Sequence, residues 1–263
     1  GRTPLNGEGL QHQDGHSHLL AYSYPNLHAY DPAYAFELAA IIKDGFKRMF
    51  VDGEDCMYYL TVGNENYAMP PAPKGAEEGI LKGLYKFKAS AKKKGPKADI
   101  LGSGAIMNAA LKAQEMLEES YGVRADVWSA TSYKELYRDA TACERGDMLN
   151  PQKKSRVPYV TECLSGDGDV VVAASDYVRT LPDSVSRWVP KPMIALGTDG
   201  YGMSETRENL REHFEVDARF IVLAALRMLE REGKVDPGTA DKAVKDFKID
   251  TKKSDPAMRE VKP

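Results

Sequence analysis

The chain has 263 residues, with 36 basic against 39 acidic, a formal net charge of −3 and 42% hydrophobic residues, the composition of an ordinary globular protein of one or two domains. The charge balance removes the electrostatic footing for nucleic-acid binding. The longest strongly apolar run, Phe220 to Leu226, falls far short of the roughly 20 residues that cross a bilayer, so no membrane span is expected. Cys56, Cys143 and Cys163 are odd in number and isolated; neither a disulfide scaffold nor a zinc knuckle follows, and a reducing, cytoplasmic setting is the expectation. Gly1 to Leu10 has neither a basic start nor an apolar core, so no export or transit peptide is expected. Without an initiator Met, the chain reads as a piece of something longer.

In chain order, residues 1–26 are rich in Gly, His, Asn and Pro and read as a long irregular loop. Asp31 as cap and Pro32 at the first position then predict a helix carrying Tyr34, Leu38, Ile41, Ile42, Phe46 and Met49 on one face. Met57 to Val62 has strand composition, and the proline-rich stretch Met69 to Pro73 marks a domain boundary, giving expected domains of 1–74 and 75–263. Beyond it, Leu84 to Ala89 and Asp99 to Leu101 read as strands around a basic, solvated hairpin tip at Lys92 to Pro96. A helix from Ala105 to Tyr121 follows, stopped by Gly122. Strands are then expected at Asp126 to Ala130, Pro158 to Glu162, Asp169 to Ala174 and Met193 to Gly197, with helices at Ser132 to Asp139 and near Asp176 to Leu181. The last third reads as three helices: Ser204 to His213, Val216 to Arg231, and one opened by Asp236 and Pro237. Strands alternating with helices predict an α/β fold with a mostly parallel sheet covered by helices.

The densest polar cluster runs from Glu8 to His18 and holds three of the five histidines within seven residues. Three readings stand for it: a metal site of His12, His16 and His18 with Asp14, for which the spacing matches no known ligand pattern; a solvent loop whose histidines do nothing; or an active-site loop offering a carboxylate and an imidazole to a substrate. Gly102-Ser103-Gly104 sits where a dinucleotide loop would, yet Met107 occupies the place of the third glycine, so a plain strand-to-helix turn is the simpler reading. Gly166-Asp167-Gly168 resembles the start of a thiamine diphosphate and metal motif, but the next Asn is Asn209, too far on, and it reads as a turn. No Gly-x-Ser-x-Gly elbow, P-loop or kinase signature occurs, so the residues form no complete catalytic constellation of their own.

The run Gly1 to His18 (GRTPLNGEGLQHQDGHSH) closely resembles a segment of the homodimeric pyruvate dehydrogenases, the thiamine-dependent first components of pyruvate dehydrogenase complexes. Tyr30 to Ala35, Asn64 to Tyr67, Gly75 to Ile80, Leu196 to Gly200, Ser204 to Arg211 and His213 to Ala218 extend the resemblance nearly end to end. Pro4 departs from it, standing where the bacterial pattern has a hydroxyl residue, and would stiffen the entry to the loop. The resemblance implies the tail of the middle, pyrimidine-binding domain followed by a C-terminal domain of transketolase type. It further implies that thiamine diphosphate and magnesium are held largely outside this sequence, and that Glu8 and His12 fall on active-centre positions, with His16 and His18 as neighbours. It implies pyruvate as substrate, a second copy of the chain in a homodimer, the dihydrolipoyl acetyltransferase core with its lipoyl domain as partner, and a bacterial cytoplasmic location. A non-catalytic dimerisation or assembly module is the alternative from another class; within the enzymes, a 2-oxoglutarate dehydrogenase or a transketolase is the rival, against which the uninterrupted match from Asn6 to His18 argues.

Overall fold

The computed structural model describes residues 1–258. Helix α1 (Ser17–Ala21) leads into strand β1 (Leu27–Tyr30), helix α2 (Ala35–Phe46), which continues as a π-turn over Lys47–Val51, and strand β2 (Met57–Leu60). After the proline-rich stretch come α3 (Glu77–Lys82), β3 (Tyr85–Lys88), β4 (Lys97–Gly102), α4 (Met107–Ser120), β5 (Arg124–Ser129), α5 (Tyr133–Leu149) and α6 (Tyr159–Leu164). The remainder is β6 (Val170–Ala174), α7 (Thr180–Asp183), β7 (Met193–Leu196), α8 (Arg207–His213), α9 (Ala218–Arg231) and α10 (Thr239–Asp246).

Two sheets result. β1 and β2 form a parallel pair, and β3-β5-β4-β6-β7 form a sheet in which only the edge strand β3 runs antiparallel. Every residue of β4 and of β6 is buried, as expected of strands covered on both faces. Alternation divides their side chains: Ala98, Ile100, Val170, Val172 and Ala174 pack under α4 and α9, while Leu101, Val171 and Ala173 pack under α5, α6 and Trp188. The α/β class and the largely parallel sheet are as the sequence predicts.

Several local expectations are corrected. Pro158 to Glu162 is not a strand; α6 forms there and turns Val160 and Leu164 into the core, and a short amphipathic segment of this kind is decided by what it packs against. Residues 1–26 are not wholly irregular, since α1 lies within them, and Leu27–Tyr30 is a strand that composition did not signal. The expected hairpin at Lys92 to Pro96 is not one: β3 pairs with β5, and β4 lies between β5 and β6. Asp31 does not cap α2. Its helix begins at Ala35, and Glu37 reaches back to accept the backbone N–H groups of Ala33 (2.5 Å) and Tyr34 (3.1 Å). Asp176 likewise stays outside α7, and α10 opens after Gly238, whose positive φ of 87° suits a glycine, rather than at Pro237.

The Glu37 carboxylate also ties α2 to the five-stranded sheet. Its other oxygen accepts the hydroxyls of Tyr85 on β3 (2.6 Å) and Ser129 on β5 (2.6 Å). Burial pushes this carboxyl upward, against the pull of those donors. Ser132 donates to the Ala29 carbonyl (2.6 Å), and the buried Lys134 ammonium donates to the carbonyls of Ala21 (2.5 Å) and Tyr24 (2.6 Å).

Candidate functional site at the carboxyl ends of the strands

In the main sheet β4 is followed in sequence by β5 on one side and then β6 on the other, so the order reverses at the carboxyl ends of β4 and β6, where ligands bind in open α/β sheets. Here the chain's own amino-terminal segment enters that crevice. The backbone N–H of Thr3 donates to Asp176 (3.0 Å), just beyond β6, and the buried Arg2 guanidinium donates to the Thr198 carbonyl. From β1, Asp31 follows: its N–H donates to the Thr131 carbonyl (2.8 Å) and its carbonyl accepts from Gly104 (3.2 Å), just after β4. A side chain on Gly104 would not fit, because its φ is +47° and a Cβ there would lie 2.7 Å from a carboxylate oxygen of Asp31. That glycine therefore serves close backbone approach, and Gly102-Ser103-Gly104 is a strand-to-helix turn.

Two carboxyls, the hydroxyls of Thr61 and Tyr177 and one imidazole gather at this crevice. Asp31 accepts from Thr61 Oγ1 (2.8 Å) through one oxygen, while its other oxygen is buried without a partner. Burial raises both the Asp31 and the Asp176 carboxyls above the ordinary carboxylate range. His18 Nε2 shares a hydrogen bond with Thr61 Oγ1 (2.9 Å), and its ring meets Tyr177 edge-on at 4.6 Å. Burial pushes His18 down to about 4, so the imidazole is neutral at physiological pH.

The histidine cluster is thus divided. Glu8, His12 and His16 are exposed, and neither the Glu8 nor the His12 side chain has a hydrogen-bond partner among the described residues. Asp14 lies at the start of α1 and accepts the backbone N–H groups of His16 (2.9 Å) and Ser17 (3.0 Å). Among the described residues, His12, His16, His18 and Asp14 do not converge as a metal-ligand group. The loop itself is anchored: Gln13 exchanges hydrogen bonds with the Met203 backbone (2.7 and 2.8 Å), and Arg207 Nε donates to the Pro4 carbonyl (2.8 Å). Glu8 and His12 are therefore carried on a fixed backbone with free side chains. The grouping of His18 with Asp31, Thr61, Asp176 and Tyr177 went unread in the sequence, since polar residues far apart in the chain carry no local pattern.

The described residues do not fit a holder of a cofactor diphosphate and its metal. The carboxylate of Asp167, in the one Gly-Asp-Gly, is engaged by Lys97 (2.6 Å) and Arg124 (2.8 Å) at the amino ends of the strands, away from the crevice. Those two cations hold it well below its usual range.

Comparison with known proteins accords with this arrangement. Residues 1–70 match the pyruvate dehydrogenase E1 component middle domain, and residues 83–217 match the transketolase-like C-terminal domain. The pyruvate dehydrogenase E1 component of Pseudomonas aeruginosa is 47% identical over 257 residues, which is 97% of this chain and 29% of that protein. Those of Escherichia coli K12 and Mycobacterium tuberculosis are 47% and 44% identical over 98% and 95% of the chain, and 29% and 27% of theirs. The chain thus spans less than a third of the length of these relatives. Among solved structures, a transketolase variant from Pichia stipitis superposes with a TM-score of 0.62 at 17% identity, over 89% of this chain and 30% of that one. A split-gene transketolase, an inactive β4 tetramer, gives 0.58 at 20% identity, over 84% and 64%. At such identities the structures speak for the fold alone. With both sheet and crevice accounted for, the chain belongs to the transketolase-like C-terminal domain family, and its relatives over nearly all of its length are pyruvate dehydrogenase E1 components.

Proposed function

We propose that this chain is the C-terminal portion of an acetyl-transferring pyruvate dehydrogenase, and that His12 and Glu8 are the catalytic side chains it contributes. The observation that carries the reading is the anchored loop: Gln13 and Arg207 fix its backbone while Glu8 and His12 remain exposed and unpartnered, available to a reacting group. An imidazole so placed can exchange a proton with a bound intermediate and a carboxylate can order it. Thiamine diphosphate and magnesium are held by residues outside this chain, which is therefore inactive alone. The division at residue 74 separates the end of a middle domain from a C-terminal domain.

The substrate is pyruvate, the acceptor is the lipoyl group of a dihydrolipoyl acetyltransferase, and the enzyme works as a cytoplasmic homodimer. Among the described residues, no helix is long and apolar enough to cross a membrane. An assembly role is supported as well, because Phe46, Phe50, Val51 and Met57 leave an apolar surface exposed beside the short sheet. The test is to assay the full-length enzyme for carbon dioxide release and lipoyl acetylation with pyruvate. Pyruvate turnover with acetyl transfer is expected; turnover of 2-oxoglutarate or a ketose phosphate in its place would overturn the reading.

A further inference from the structure

A second group of donors lies away from the crevice, where β1 and β2 begin. In the parallel register His28 stands opposite Tyr58, and Cys56, two residues earlier, falls on the same side of its strand by alternation. Gly53, at a φ of +67°, turns the chain there, and the N–H of Glu54 donates to the Arg48 carbonyl (2.8 Å). As a result, a ring nitrogen of His28, the sulfur of Cys56 and a carboxylate oxygen of Glu54 lie within 4.8 Å of one another. His28 is 3% exposed and Cys56 8%, while Glu54 faces solvent.

We propose that His28, Cys56 and Glu54 form a binding site for a divalent transition metal of zinc type. The donor set is one imidazole, one thiolate and one carboxylate, which suits Zn²⁺ and leaves a fourth, open position for water. What separates it from a chance grouping is the support around the ligands. His28 Nδ1 lies 3.0 Å from Glu135 Oε1 on α5, and Arg138 closes on the same oxygen (3.2 Å). Arg138 also lies 3.2 Å from Nδ1, but the shorter contact is to the Glu135 carboxylate, which can only accept; a proton held on Nδ1 by that oxygen leaves Nε2 for a metal. Glu54 is in turn gripped by Arg48, through Nε (2.6 Å) and a terminal nitrogen, and each carboxylate oxygen keeps a further lone pair. Tetrahedral ligands on zinc stand roughly 3.5 Å apart, so binding draws the three donor atoms together from within 4.8 Å, with the Glu54 carboxylate still paired to Arg48. Binding expels the thiol proton of Cys56 to solvent, so two negative ligands face the dication. The metal would clasp β1 to β2 and, through Glu135, to α5. The site stands independently of the catalytic reading above.

The test is titration of the metal-free protein with Co²⁺, followed by displacement with Zn²⁺. One equivalent should give a near-ultraviolet sulfur-to-cobalt charge-transfer band with tetrahedral visible bands, and Zn²⁺ should erase both. Cys56→Ser should abolish the charge-transfer band. Glu135→Gln should weaken affinity by about 10–100-fold, as loss of an outer partner does. Glu54→Gln, at an exposed position that keeps the fold, should weaken it at least about 10-fold with no change in melting temperature. Absence of a charge-transfer band, its persistence in Cys56→Ser through Cys143 or Cys163, or unchanged affinity in Glu54→Gln would overturn the proposal.

Discussion

The two sheets of this chain are both built on parallel strands, yet they are stabilised differently. The five-stranded sheet buries β4 and β6 completely between helices on either side. The β1-β2 pair shares a small cluster with its neighbours, in which Tyr30 is buried with Ile41 of α2, Ala76 and Ile80 of α3 and Tyr85 of β3, and the turn after α2 leaves Phe50 and Val51 73% and 78% exposed. Two strands seldom hold together alone in water. The short sheet and the helices beside it are tied to the rest by polar contacts: Ser132, capping α5, to Ala29 of β1, Lys134 of α5 to Ala21 of α1, and above all Glu37 of α2 to Tyr85 and Ser129 of the large sheet. The apolar side of the short sheet remains exposed at Phe46, Phe50, Val51 and Met57.

That contrast is broken most severely at Glu37. Glu37→Ala leaves the hydroxyls of Tyr85 and Ser129 and the N–H groups of Ala33 and Tyr34 without their acceptor. A loss of about 3–5 kcal/mol is expected, measured by denaturant unfolding; a loss below about 1 kcal/mol would mean the junction does not hold the short sheet. Next comes Gly104→Ala, which forces a side chain into a left-handed position against Asp31 and should cost about 1–3 kcal/mol. An unchanged midpoint there would show that the crevice is looser than the distances imply.

The pH dependence tests the crevice from the other side. His18 has its folded value lowered to about 4 by burial, so the unfolded chain takes up the proton first as pH falls. Its contribution is therefore fully present above about 6.5 and is lost between there and about 4, at about 1.4 kcal/mol per pH unit. His18→Gln should remove that slope while other acid effects remain, which a paired series of melting curves resolves. Parallel curves for the two proteins would contradict a buried neutral imidazole. The smallest stability effect is expected on the open side: Phe50→Ser should change stability by no more than about 0.5 kcal/mol while reducing self-association, as seen by sedimentation. A large loss of stability would place Phe50 in a core.

Where periodicity extends over several turns, as in α4 and α9, or where apolar runs are short and bounded by turns, as in β6, the sequence already carried the element. Pro158 to Glu162 misled because Tyr159, Val160 and Thr161 have strand composition, while burial of Val160 and Leu164 against the sheet settled a helix. Leu27–Tyr30 escaped notice because four residues are too short a run to establish a period, and Ala29 has little strand preference. The candidate site was legible only in part. Glu8 and His12 stood out through the length of the motif around them, whereas Asp31 and Asp176 are isolated carboxyls whose burial arises from contacts across the chain. Asp31 beside Pro32 even carried the signature of a helix cap, a role that Glu37 performs instead.

The most direct measurement is His12→Ala in the full-length enzyme, following turnover with lipoyl acceptor, cofactor affinity and melting temperature together, with Glu8→Gln alongside. An exposed, unpartnered imidazole that exchanges a proton with the reacting intermediate predicts turnover lower by about 10²–10⁴-fold, with cofactor affinity nearly constant and stability within about 0.5 kcal/mol. Glu8→Gln should lose less if its carboxylate orders the imidazole. Unchanged turnover in His12→Ala would make the anchored loop a solvent surface and contradict the account.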